Sequence, residues 1–164
     1  MVIQLPVLEQ FGSELIALGW ISDLLVAGSL ATGDYGPGVS DRDVVAVTDG
    51  PVAEFRQVTL THLHRHLDET AGVGVRLGCA YIDADRLDGT QVEHPTWTHG
   101  SLVRRIVSGV TRAELVRHGY AVFGRSPQAL FPPWAATRSA KPPAPNCWDT
   151  GGGHVATMDV AAHI

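Results

Sequence analysis

Apolar residues recur at helical spacing over residues 7–18, at Leu8, Phe11, Leu15, Ile16 and Leu18, and Gly19 then stops the pattern. This predicts a first helix. Residues 23–27, Asp-Leu-Leu-Val-Ala, form a short apolar run with strand character. Gly28, Gly33, Gly36, Pro37 and Gly38 then break any period, so residues 28–38 are predicted as a loop or a short turn of helix. Residues 43–48 are rich in valine and predict a second, buried strand. Pro51 stands where a helix likes to begin. Residues 52–70 read as that helix, with Val52, Phe55, Val58 and Leu63 or Leu67 on one face. A third strand is predicted over residues 73–82, helices over 102–107 and 113–118, and a short strand over 120–123 before Gly124.

The order is helix, strand, loop, strand, helix, strand, helices. It predicts an α/β (α+β) domain: a small mixed sheet flanked by helices, occupying residues 1–133. From Trp134 the pattern changes. Pro-Pro pairs, Lys141-Pro142-Pro143-Ala144-Pro145 and Gly151-Gly152-Gly153 carry no period, so residues 134–164 are expected to be a disordered tail. The genetic code adds a further reading. Shifted by one nucleotide, Asn146-Cys147 and Cys147-Trp148 each encode Leu, and Trp148-Asp149 encodes Gly. With codons ending in G or C, the shifted frame yields an amphipathic helix of good helix formers. The expectation is that a frameshift near Pro133 replaced a helical C-terminal domain.

Composition narrows the class. The 164 residues are 45% hydrophobic and 18% charged, as in an ordinary globular domain. No apolar run is long enough to span a bilayer as a helix, and no secretory signal stands at the N-terminus. Cys79 and Cys147 lack metal-ligand or redox spacing, which fits a reduced, cytoplasmic setting. The formal charge of −5 disfavours general nucleic-acid binding. A polyanionic nucleotide would have to bind through local donors and metal.

The candidate chemistry lies in two stretches: residues 24–29, Leu-Leu-Val-Ala-Gly-Ser, and residues 40–47, Ser-Asp-Arg-Asp-Val-Val-Ala-Val. Gly28 ends a strand where the chain must turn tightly and let a ligand approach the backbone. Ser29 offers a hydroxyl and a backbone N–H at the start of a helical turn, which suits phosphate oxygens. Asp41 and Asp43 stand two apart at the mouth of a strand, so both side chains point to one face, roughly 7 Å apart at Cα. Two carboxylates beside a phosphate cradle suit Mg²⁺, which would neutralise a triphosphate and activate an attacking oxygen.

This arrangement resembles the nucleotidyltransferase superfamily that includes DNA polymerase beta: an apolar strand, Gly-Ser, a loop of about ten residues, then Asp-x-Asp in a second apolar strand. Within it, the chain looks most like the aminoglycoside adenylyltransferases that modify streptomycin and spectinomycin. Residues 112–127, Arg-Ala-Glu-Leu-Val-Arg-His-Gly-Tyr-Ala-Val-Phe-Gly-Arg-Ser-Pro, extend that likeness, which covers residues 8–133. The resemblance implies an enzyme that moves a nucleoside monophosphate, AMP from ATP, to a hydroxyl of a small, aminoglycoside-like acceptor. Gly28 and Ser29 would bind the nucleotide, and Asp41 and Asp43 would be the catalytic, magnesium-binding pair. The third strand departs from the family, which places a further carboxylate there. Residues 73–82 contain no acid. Asp83, Asp85 and Glu93 are the candidate substitutes. The alternative reading is a catalytically weak module acting with a helical partner protein, or as an oligomer.

Other features are read as structural. His62, His64 and His66 are expected on a solvated helix face, because no third ligand accompanies them. Residues 94–99, His-Pro-Thr-Trp-Thr-His, are expected to be a packed loop, and Cys79 a small core residue. Gly151-Gly152-Gly153-His154 follows no strand and so is not a phosphate loop.

Overall fold

The computed structural model describes residues 5–71 and 76–131. The elements are α1 (Leu5–Ala17), β1 (Ile21–Ala27), α2 (Gly28–Thr32), β2 (Arg42–Thr48), α3 (Glu54–Thr70), β3 (Leu77–Asp83), β4 (Glu93–Thr98), β5 (Ser101–Ile106), α4 (Gly109–His118), β6 (Tyr120–Phe123) and α5 (Pro127–Leu130). The six strands form one sheet in the order β5-β4-β3-β2-β1-β6. Only β2 and β3 run parallel, because α3 crosses between them; the other neighbours are antiparallel. The mixed, helix-flanked sheet expected from the pattern is therefore present. The expectations for residues 132–164, and for 72–75 at the start of the third strand, lie outside the described residues.

Helices cover both faces of the central strands, which is why β1 and β2 are buried almost end to end instead of alternating. On one face Leu24, Val26, Val44 and Ala46 pack with Leu8, Phe11 and Leu15 of α1 and with Leu60 and Leu67 of α3. On the other, Leu25, Val45, Val47 and Ile82 meet Leu115 of α4 and Leu130 of α5. No helix among the described residues is long and apolar enough to cross a membrane.

Three sequence expectations are corrected. Residues 102–107 are not helical: β5 is a strand, joined to β4 by the two-residue turn His99-Gly100, both with positive φ (49° and 76°). Residues 94–98 likewise belong to β4 and not to a loop. The buried face of α3 is Leu60, His64 and Leu67, whereas Phe55 and Val58 are exposed; the i, i+4, i+7 row won over the i, i+3 row that began at Val52.

His64 is thus no solvated residue. It is fully buried, with Nε2 2.8 Å from the Tyr81 hydroxyl and its ring stacked on Trp97 at 4.8 Å between centroids. Burial pushes the imidazole down to about 3. Below its ordinary value of 6.5 the unfolded chain takes up a proton that the folded histidine refuses, so stability is complete above 6.5 and declines as pH falls toward 3. Between about pH 6.5 and 4 this single group should remove on the order of 3 kcal/mol. Denaturant unfolding at stepped pH should show it. His64→Gln keeps a polar partner for Tyr81 but does not titrate, and should flatten that slope; identical slopes would exclude His64 as its source.

One end of the sheet is pinned by a buried carboxylate and an arginine. At the start of β1, the buried Asp23 accepts from Arg125 Nε (3.1 Å), Arg125 Nη2 (2.8 Å) and the Arg125 backbone N–H (2.5 Å). Burial alone would raise this carboxyl, but the hydrogen bonds from Arg125 and Ser22 outweigh it and hold it below the usual range. The opposite end of β2 and β3, the end from which they start, carries the candidate site.

Candidate active site

The pairing of β1 with β2 sets Ala27 opposite Asp43, so the turn that leaves β1 lies directly over the acid that opens β2. Gly28 takes φ +59°, and a Cβ there would stand 2.6 Å from Asp43 Oδ2. The parallel pairing of β2 with β3 sets Gly78 on the other side, where a Cβ would stand 3.1 Å from Asp43 Oδ1. The Asp43 carboxylate is therefore held between two backbones that only glycine lets come this close. Ser29 follows within α2, half-buried, and its carbonyl accepts the Asp34 N–H at 3.0 Å.

Asp41 precedes β2. Its Oδ1 lies 3.8 Å from Arg76 Nη1, beyond hydrogen-bond reach, and is shielded from solvent without a hydrogen-bond partner. Asp43 feels that neighbour: desolvation first, and then the charge of Asp41, push its carboxyl above the usual range. Arg42, between them, points to the other face, where its guanidinium is buried 5.2 Å from the centre of the Tyr35 ring.

The two acids open on a cavity of about 180 Å³. Its other walls are Asp68 of α3, Arg76, Leu77 and Gly78 at the start of β3, and Trp97, Thr98, His99 and Gly100 at the hairpin tip. His99 adopts its positive φ with Nδ1 2.8 Å from the Thr98 hydroxyl. The structure thus gathers Gly28, Ser29, Asp41 and Asp43 at one end of the sheet. It does not bring the three candidate third acids there. Asp83 pairs with Thr48 while Gly78 pairs with Asp43, which separates Asp83 from the pair by five residues, roughly 16 Å of strand. Asp85 follows Asp83 in a 3₁₀ turn, and Glu93 begins β4 at that same far end. Sequence reasoning missed Asp68. The only signal was its place on the last turn of the crossover helix, which returns the chain to the mouth of β3.

The chain is thus an α+β domain whose mixed sheet presents a glycine turn and an acid pair at one end. Residues 8–78 match the family model for the nucleotidyltransferase domain, and the glycine turn and the acid pair both lie inside the matched segment. Among solved structures, it is similar to spectinomycin adenyltransferase from Enterococcus faecialis, determined with ATP and spectinomycin. The TM-score is 0.56 at 13% identity, over 73% of this chain and 56% of that one. The chain therefore spans little more than half the length of that protein, and the likeness is one of fold. A toxin–antitoxin structure with AMP-PNP aligns with a TM-score of 0.43 at 15% identity, over 74% of this chain and 79% of that one. No curated protein matches the sequence significantly.

Proposed function

We propose that this protein transfers a nucleoside monophosphate, AMP from ATP, to a hydroxyl of a small, aminoglycoside-like molecule. The observation that carries the reading is the Asp43 carboxylate flanked by Gly28 and Gly78, beside an Asp41 oxygen that is shielded and has no hydrogen-bond partner. Desolvation, and then the charge of Asp41, raise the proton affinity of Asp43, and a divalent cation bound by both carboxylates would relieve that strain. Asp41 and Asp43 would hold Mg²⁺, which when bound supplies charge neutralisation for the triphosphate. Gly28, lacking a side chain, would let phosphate oxygens reach its backbone, and the Ser29 hydroxyl, next in the chain, would donate to them. The cavity walls hold the acceptor so that its oxygen attacks the α-phosphorus in line with departing pyrophosphate. The fold likeness to the spectinomycin enzyme supports the acceptor class. The family match supports the reaction.

Calorimetric titration with magnesium and ATP tests this reading. The unmodified protein should bind, and Asp41→Ala and Asp43→Ala should each abolish the binding heat. Unchanged binding in both variants would sink the assignment. A protein that binds Mg-ATP, releases no pyrophosphate and elutes from cell extract in a stable heteromeric complex would instead favour a non-catalytic module that acts with a partner.

A further inference from the structure

We propose that Asp68, on the last turn of α3, is the base that receives the proton of the acceptor hydroxyl, a role that rests on the transfer reaction proposed above. β3 cannot supply such a group. The residue in register with Asp43 is Gly78, and no strand carboxylate fits where a Cβ would already stand 3.1 Å from Asp43 Oδ1. Asp83, the last residue of β3, and Asp85 and Glu93 after it lie at the far end of the sheet. Asp68 is the one carboxylate besides Asp41 and Asp43 that lines the 180 Å³ cavity. Among the described residues it makes no ion pair and no side-chain hydrogen bond, so its oxygens are uncommitted.

Its placement suits a base better than a third metal ligand. Among the described residues, no three His, Cys, Asp or Glu side chains are grouped closely enough to hold one ion. Asp68 lines the cavity from α3, whereas Asp41 and Asp43 line it from the mouth of β2. Partial burial pushes its carboxyl upward, which improves its match to a hydroxyl proton near neutral pH. A second opening, of about 450 Å³, runs along α3 from Glu54 to Arg65 and shares Trp97 and Gly100 with the first. Asp68 follows Arg65 by about one helical turn, at the end of α3 where this opening meets the first cavity's wall. In the step itself, the acceptor O–H bond breaks and its proton goes to Asp68. The acceptor oxygen forms a bond to the α-phosphorus, and pyrophosphate leaves with the electron pair of the broken P–O bond.

The test uses the full chain, with spectinomycin and streptomycin as probe acceptors, and reads magnesium-dependent pyrophosphate release together with calorimetric binding of Mg-ATP. Asp68→Asn should slow release about 100-fold or more while leaving the Kd for Mg-ATP unchanged. Asp68→Glu should recover part of the rate, and Asp85→Asn and Glu93→Gln should match the parent. Release by Asp68→Asn within threefold of an active parent overturns the assignment of Asp68 and leaves the transfer reaction standing. A parent that releases no pyrophosphate with either probe overturns the transfer reaction, and this assignment with it.

Discussion

Asp43→Asn is expected to abolish nucleotide transfer and, in the same molecule, to raise thermal stability. The two effects have one cause. Asp43 is ionised next to Asp41 and under two backbones, an arrangement that desolvation and like charge both disfavour, as its raised proton affinity shows. A folded-state value above the unfolded one means that the ionised group opposes folding at neutral pH, and the amide, which carries no charge, lifts that penalty. Asparagine has nearly the same shape, so the fit between Gly28 and Gly78 is kept. What is lost is the negative charge that would fix the metal. Metal-dependent stabilisation of a transferring phosphoryl group amounts to several kcal/mol, so the rate should fall about a thousandfold or more. Scanning calorimetry without magnesium should place the melting temperature of Asp43→Asn above that of the parent. Added magnesium should raise the parent and leave the variant unmoved. A variant that melts below the parent in the absence of metal would show that Asp43 stabilises the fold, contrary to the geometry.

The site was legible because its chemistry is compressed into one turn and one strand start. Gly28-Ser29 and Asp41-x-Asp43 lie within sixteen residues, and β1 and β2, being buried on both faces, announce themselves as unbroken apolar runs. The site's other wall was not legible. Trp97 to Gly100 and Asp68 reach the cavity only through the pairing of β4 with β3 and the return of α3, which no local pattern encodes. Asp68 carries no periodic signal, because an acid on an exposed helix turn looks the same whether it faces bulk water or a cavity.

The errors in the fold have similar physical origins. β5 is an edge strand with five of its six residues exposed, so its apolar residues do not alternate. Leu102, Val103 and Ile106 fall at spacings that also suit a helix. The turn that decides the matter, His99-Gly100, puts a histidine at positive φ, where Asn or Asp would have advertised a hairpin. For His64, the lack of a third ligand beside His62 and His66 argues against a metal site but says nothing of burial. Here the core offers it a tyrosine hydroxyl and a flat tryptophan face, and the neutral ring fills the space between Phe11 and Trp97.

Arg112→Ala should be the most destabilising single substitution outside the apolar core. Arg112 opens no site; it ties the loop after β3 to α4. Its buried guanidinium donates to three backbone carbonyls, from Nε to Val107 at 2.9 Å, from Nη2 to Gly89 at 2.8 Å and from Nη1 to Leu87, and it lies 5.4 Å from the centre of the Phe131 ring. Its charge, after burial, also helps hold the neighbouring His94 down to about 4. Truncation strands three carbonyls in a partly buried region and leaves a cavity, a loss of about 4 kcal/mol. Against a total stability of about 5–15 kcal/mol, that is a large share. Lysine cannot span the three acceptors with one ammonium group, so Arg112→Lys should recover less than half of the loss. Thermal unfolding should place Arg112→Ala roughly 15 °C below the parent. The loss should reach the site as well, because α4 packs against β1, which leads into Gly28, and against α2, which carries Gly28 and Ser29. Near its own melting range Arg112→Ala should therefore bind Mg-ATP only weakly while binding normally in the cold, and Mg-ATP should raise its melting temperature. An Arg112→Ala protein that melts within about 2 °C of the parent would show that the three carbonyls find other partners and that the guanidinium adds nothing to the fold.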